Sequence, residues 1–178
     1  MPRRLTIGLG ALERRYHELS RKIHPDRFAS SAVAVRDASL RATATLTRSY
    51  RTLRDPVARG LYWLELNGEK LAENNKRVPP ELAELVFEVQ EQLAEMHEAG
   101  ADSAAARELA AQVVARRVEL QTRMDETLAE LDRNFAKWDR PADEKMLTLE
   151  LKTILSNIAY LRTLIRDVDS ALENSKAA

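Results

Sequence analysis

At 178 residues the chain has room for one domain or two small ones, and an apolar content of 44% is enough to build a core. It contains no cysteine, which excludes disulfides, thiolate metal sites and a thiol nucleophile, and its three histidines, His17, His24 and His97, lack the helical spacing of a zinc site. The net charge of zero hides a split: residues 1–66 hold 13 Lys/Arg against 6 Asp/Glu, an excess of 7 cations, whereas residues 67–178 hold 15 against 22, an excess of 7 anions.

Helix formers dominate, with only 5 glycines and 6 prolines, and no stretch alternates apolar and polar residues over strand length. The expected class is all-α. No apolar run approaches the ~18 residues of a membrane span. The opening Met-Pro-Arg-Arg-Leu has no apolar signal core behind it, so neither a membrane segment nor a secretory peptide is expected. The absence of cysteine fits a reducing compartment.

In chain order, Leu12, Tyr16, Leu19 and Ile23 form one stripe of a helix that starts near Leu9 to Ala11. The helix must stop near Ile23, because the residue before Pro25 is pushed out of the α region. Arg14, Arg15, Arg21 and Lys22 make its outer face basic. Ser30 and Ser31 are candidate caps for a second helix over Val33 to Leu53, with Ala42, Leu46, Tyr50 and Leu53 inward. Asp55-Pro56 starts a third helix, and Asn67-Gly68 stops it.

A polar stretch ending in Pro79-Pro80 reads as a linker. Three long helices follow, over about 80–99, 103–138 and 142–173. Asp102-Ser103 is a candidate cap for the second, and Gly100 a stop for the first. Leu82, Leu85, Val89, Leu93 and Met96 mark the buried face of the first. Leu109, Val113, Leu120, Met124, Leu128, Leu131 and Phe135 mark that of the second. The third repeats through Leu147, Leu151, Ile154, Ile158, Leu161, Ile165, Val168 and Leu172. Such seams require burial, as an antiparallel bundle or coiled coil. The expected organisation is a basic module at 1–66, a linker at 67–78 and an acidic helical bundle at 79–178.

The segment with functional content is Y-H-E-L-S-R-K-I-H-P-D-R-F, residues 16–28. Its centre, His24-Pro25-Asp26, pairs a donor and an acceptor around a proline that fixes the backbone. Alone the tripeptide is weak. With the Tyr-x-x-Leu helix before it, Arg27-Phe28 after it, and a helix carrying Leu46, Tyr50, Leu53 and Asp55-Pro56, it resembles the J-domain of the DnaJ class. That class stimulates ATP hydrolysis by DnaK-type chaperones. The resemblance implies that His24, Pro25 and Asp26 trigger the partner ATPase. Arg14, Arg15, Arg21, Lys22 and Arg27 would dock it on an acidic surface.

The acidic remainder narrows the resemblance. The runs L-S-R-K-I-H-P-D-R-F-A, L-T-R-S-Y-R-T-L-R-D-P-V-A-R and L-S-N-I-A-Y-L are similar to those of HscB, called Jac in mitochondria. That family delivers the iron–sulfur scaffold protein IscU to the chaperone HscA. After the tyrosine of the J-motif, where many general J-domains carry two basic residues, this chain has His17 and Glu18. The family also begins with a short helix bearing a D-Y-F-x-x-F-G-L-P run, and here the chain starts at about that proline. The hairpin is therefore expected to lack its first helix, leaving Leu12, Tyr16 or Leu46 partly uncovered.

On the helix at 80–99, ~100° per residue carries Phe87 away from the buried stripe, beside Ala83 and Ala94. Leu155 is expected at the flank of the last seam. The resemblance implies a scaffold-binding face of Ala83, Phe87, Glu88, Glu91 and Leu155. It implies no enzyme activity and no cofactor, and it places the protein in the bacterial cytoplasm rather than a mitochondrial matrix. Two other classes compete. A structural coiled-coil adaptor predicts homo-oligomers and no IscU binding. A nucleic-acid-binding protein predicts salt-sensitive contacts through the basic half, but few aromatics interleave there and the other half is acidic.

Overall fold

The computed structural model describes residues 4–71, 78–99, 104–139 and 144–177. Within them lie six α-helices and no strand: α1 (Leu9–Ile23), α2 (Val33–Arg54), α3 (Pro56–Leu66), α4 (Ala83–Glu98), α5 (Ala104–Trp138) and α6 (Glu144–Ala177). Short 3-10 turns cover Pro25–Phe28 and Pro80–Leu82. The all-α expectation holds. The expected stop at Gly100 and cap at Asp102-Ser103 fall outside the described residues.

The chain divides into two compact units, one of Met1–Lys70 with Phe135–Ala142, the other of Leu71–Asn134 with Asp143–Ala178. The first unit thus takes in the end of α5, which a boundary drawn at residue 66 leaves out. The reason is aromatic packing: Trp138 stacks on Trp63 of α3 with ring centres 5.2 Å apart and planes 13° apart. Arg59 of α3 lies with its guanidinium 4.9 Å from the Phe135 ring centre.

Within the first unit, α1 ends at Ile23 because Pro25 denies His24 the helical region, and His24 sits at φ −59°, ψ 133°. Helices α1 and α2 are antiparallel, since Tyr16 stacks on Tyr50 at 4.3 Å while Ile23 meets Ser39. Leu12, Tyr16, Leu19, Ile23, Leu46, Tyr50 and Leu53 are all half-buried. No residue of α1 is fully buried, and on α2 only Ser39 is.

Two local expectations need correction. Ala42 is exposed, because the face of α2 turned to α1 centres on Ser39, Thr43, Leu46 and Tyr50 and leaves Ala42 at its margin. Helix α2 also starts after Ala32 with no side-chain cap, so neither Ser30 nor Ser31 fills that role. Asp55 does cap α3, its carboxylate accepting from the Ala58 N–H at 2.8 Å, with Pro56 in the first turn. At the other end Gly68 takes φ 74°, a left-handed stop that closes with Gly68 N–H to Glu65 and Glu69 N–H to Leu64.

The second unit is built on α4, α5 and α6. Its core contains Leu82 from the 3-10 turn before α4, Val86 and Val89 from α4, Val113, Leu120, Met124 and Leu131 from α5, and Leu151, Ile154, Leu155, Ile158, Leu161, Leu164 and Val168 from α6. Helix α5 runs antiparallel to its neighbours. A shallow groove places Glu81 to Glu88 beside Glu119 to Glu126, and Arg116 reaches Gln92 while Arg117 pairs with Asp169 at 3.0 Å. On α6, Leu164 is buried where the heptad seam expects Ile165, which is half-buried.

Candidate functional site

The end of α1 generates the exposed turn. Pro25 has no N–H to donate, and the Arg27 N–H turns back to the His24 carbonyl at 3.0 Å, which leaves the Ile23 carbonyl without its helical partner. Helix α2 supplies the replacement. Ser39 Oγ donates to that carbonyl at 2.6 Å, and Thr43 Oγ1, one turn on, donates at 3.3 Å. Ser39 is 6% exposed, so this hydrogen bond is shielded from water. Neither hydroxyl stood out in the sequence, because a helical Ser or Thr is usually solvated and the carbonyl it serves is 16 and 20 residues away.

On this base the turn itself is polar and open. The His24 side chain is 49% exposed and that of Asp26 89%. His24 Nδ1 accepts from the Asp26 N–H at 3.3 Å and lies 3.3 Å from Asp26 Oδ2. Arg27 donates to the Arg21 carbonyl at 3.3 Å, tying the turn to the last turn of the basic helix. The arrangement holds an imidazole and a carboxylate together at the surface, on a backbone with little freedom to move.

Arg14, Arg15, Arg21, Lys22 and Arg27 are all exposed. They are not electrostatically equivalent. Glu18 accepts from Lys22 at 2.7 Å and from Arg15 at 2.8 Å. These hydrogen bonds, Lys22 first and Arg15 second, hold the exposed Glu18 carboxyl below its ordinary range. Glu18 therefore offsets part of the positive charge that Arg15 and Lys22 present, a contact that follows from i, i+3 and i, i+4 spacing.

The residues expected to bind a scaffold do not form one surface. Ala83, Phe87, Glu91 and Ala94 are exposed on one side of α4, and Phe87 at 68% is a large apolar group left in solvent. Glu88 points elsewhere, to α5, where it pairs with Arg116 at 2.9 Å. Leu155 is not at a flank: it is 1% exposed and belongs to the core of the second unit. Helix α6 meets the Pro80–Leu82 turn that leads into α4 through Asn157 and Glu81, and α5 through Asp169 and Arg117, so its buried arc is wider than a single seam and takes in Leu155 beside Leu151, Ile154 and Ile158. The Glu81 carboxyl is held below its ordinary range by its own backbone N–H and then by the Asn157 amide.

Among the described residues no three His, Asp or Glu side chains converge as metal ligands, and no helix is long and apolar enough to cross a membrane. No protein-family model matches the chain. Over 101 residues it is 35% identical to the co-chaperone protein HscB homolog of Ralstonia nicotianae, a match that spans 56% of this chain and 57% of that protein. The chain thus spans little more than half the length of the curated relative it matches. Of solved structures, chaperone HscB from Vibrio cholerae superposes with a TM-score of 0.67 at 21% identity, covering 98% of this chain and 94% of that one. The chain is similar in sequence to an HscB co-chaperone homolog and shares the fold of the HscB structures. Human co-chaperone protein HscB is similar over 94% of this chain and 76% of its own, with a TM-score of 0.56 at 24% identity.

Proposed function

We propose that this HscB homologue is a co-chaperone whose first unit is a J-domain and whose second unit carries a client. In this reading His24, Pro25 and Asp26 stimulate the ATPase of an HscA/DnaK-class chaperone. Arg14, Arg21 and Arg27, with Arg15 and Lys22 tempered by Glu18, steer and dock it. The observation that carries the reading is the exposed His-Pro-Asp turn at the end of a basic helix, anchored from beneath by Ser39 at 2.6 Å, in a chain with the HscB fold. A rigid donor–acceptor pair is suited to entering a polar cleft, because little ordering entropy is lost on binding.

The second unit is proposed to hold the scaffold protein IscU on the α4 face that contains Ala83, Phe87 and Glu91. Phe87 is the anchor in this reading: a solvent-exposed aromatic between acidic side chains has the composition of a binding hot spot. Glu88 contributes from the side while paired to Arg116, and Leu155 contributes by supporting the bundle. Carrying client and trigger on one chain raises the effective concentration of IscU beside the chaperone, which aids iron–sulfur cluster assembly. The site of action in this proposal is the bacterial cytoplasm.

The test mixes the full chain with an HscA/DnaK-class ATPase and IscU. Co-elution with IscU on gel filtration and faster single-turnover hydrolysis are expected. A chain that only self-associates, with neither effect, is the structural adaptor instead.

A further inference from the structure

We infer that Asp139 is a positioning residue for α1, acting as a clasp on the segment that precedes the helix. The inference rests on the co-chaperone reading in taking α1 as the docking helix. Helix α1 has no fully buried residue, so its half-buried apolar seam against α2 does not fix its direction alone. Separate contacts within the first unit add to it. At its carboxyl end Ser39 and Thr43 hold the Ile23 carbonyl, and midway Tyr16 stacks on Tyr50.

At its amino end the cap position is Gly8, which has no side chain to offer, and no acidic residue lies in the first turn. The hold comes from just upstream. Leu5 is 3% exposed, and its N–H donates to Asp139 Oδ1 at 2.8 Å. The next N–H, of Thr6, donates to Oδ2 at 3.0 Å. One carboxylate thus accepts two consecutive backbone amides, both charge-assisted. Asp139 directly follows Trp138, whose ring is stacked on Trp63, so the acceptor is carried by a packed element. Only Ile7 and Gly8 separate the clasped residues from Leu9, and the Gly8 carbonyl then accepts from Ala11 and Leu12 at 3.0 Å to open the helix. Holding Leu5 and Thr6 therefore restricts where α1 begins and where its arginines point.

The side-chain chemistry gives an ordered prediction. Asparagine at 139 keeps one acceptor oxygen but sets an N–H2 group against a backbone N–H. Alanine keeps no acceptor. The experiment compares amide hydrogen exchange by NMR in the full chain for wild type, Asp139→Asn and Asp139→Ala. Alongside it runs the dose dependence of ATPase stimulation on an HscA/DnaK-class chaperone. In D139A the Leu5 and Thr6 amides should exchange on the order of tenfold faster, the loss expected for hydrogen bonds to a charged acceptor. Ala11 and Leu12 should follow to a smaller degree. The concentration for half-maximal stimulation should rise several-fold with the plateau unchanged, and D139N should fall between.

If Leu5 and Thr6 lose protection while Ala11, Leu12 and the half-maximal concentration stay put, Asp139 is a local tie and the inference is wrong. Unprotected Leu5 and Thr6 amides in the wild type overturn it as well. Should the wild type fail to stimulate at all, the co-chaperone reading falls and the exchange pattern alone decides the clasp. Fluorescence of the Trp63–Trp138 pair reports whether D139A is folded; if it is not, D139N carries the comparison.

Discussion

Replacing Ser39 by alanine removes the hydroxyl that donates to the Ile23 carbonyl at 2.6 Å. That carbonyl has no helical partner, because the Arg27 N–H is already given to His24. Leaving a buried acceptor poorly satisfied costs ~1–3 kcal/mol. Thr43 remains within reach at 3.3 Å, so the single substitution belongs near the low end of that range. Alanine is the better helix former by roughly 0.5 kcal/mol, which offsets part of the loss. The net expectation for Ser39→Ala is about 1 kcal/mol of destabilisation at the junction of α1 and the turn. Stripping both hydroxyls with Thr43→Val as well should approach ~3 kcal/mol.

Amide hydrogen exchange reads this directly. The last turn of α1 should exchange about fivefold faster in S39A, since ~1 kcal/mol corresponds to that factor. Thermal unfolding of the full chain should shift down by about 2–4 °C. If the carbonyl is what fixes the turn, maximal ATPase stimulation should fall too, although Ser39 is buried and does not touch the partner. Unchanged or slower exchange in S39A, or a larger effect from T43V alone, would show that the buried hydroxyl does not anchor the turn.

Two further substitutions separate surface from core in the second unit. Phe87→Ala should weaken IscU binding at least tenfold, measured by titration calorimetry, while changing stability by no more than about 0.5 kcal/mol, because Phe87 is 68% exposed. Leu155→Ala should do the reverse, costing ~2–5 kcal/mol in urea unfolding, since Leu155 is 1% exposed. A stable L155A variant that has specifically lost IscU would restore Leu155 to the binding face.

Much of the backbone plan was legible because prolines and a glycine punctuate it. Pro25 ends α1, Asp55-Pro56 starts α3, and Gly68 with φ 74° stops it. Local stereochemistry decides such points, and sequence carries local stereochemistry well. Phe87 was legible for a related reason: on a helix, distance from the apolar stripe is fixed by residue number. Leu155 was not, because its burial depends on α6 facing two helices at once, and a single seam measures only one.

The polar anchors were hidden more deeply. Ser39 looks like any helical serine until Ile23 is placed beside it, and Asp139 meets Leu5 across 134 positions of sequence. Hydrogen bonds of that span have no periodicity to betray them. Ser30 and Ser31 illustrate the converse: they had the right chemistry for a cap, but the helix starts after Ala32 without using either. The aromatic packing of Trp138 on Trp63, which draws the end of α5 into the first unit, was likewise not legible from composition.

The central claim is that His24-Pro25-Asp26 acts on a chaperone ATPase, and His24→Gln tests it with little risk to the fold. The His24 side chain is 49% exposed and is not part of the core. Single-turnover ATP hydrolysis by an HscA/DnaK-class chaperone with IscU should be accelerated by the wild type and not by H24Q. The two proteins should match in helicity and in IscU binding. Equal acceleration by both, or none by either while IscU still binds, would contradict the account.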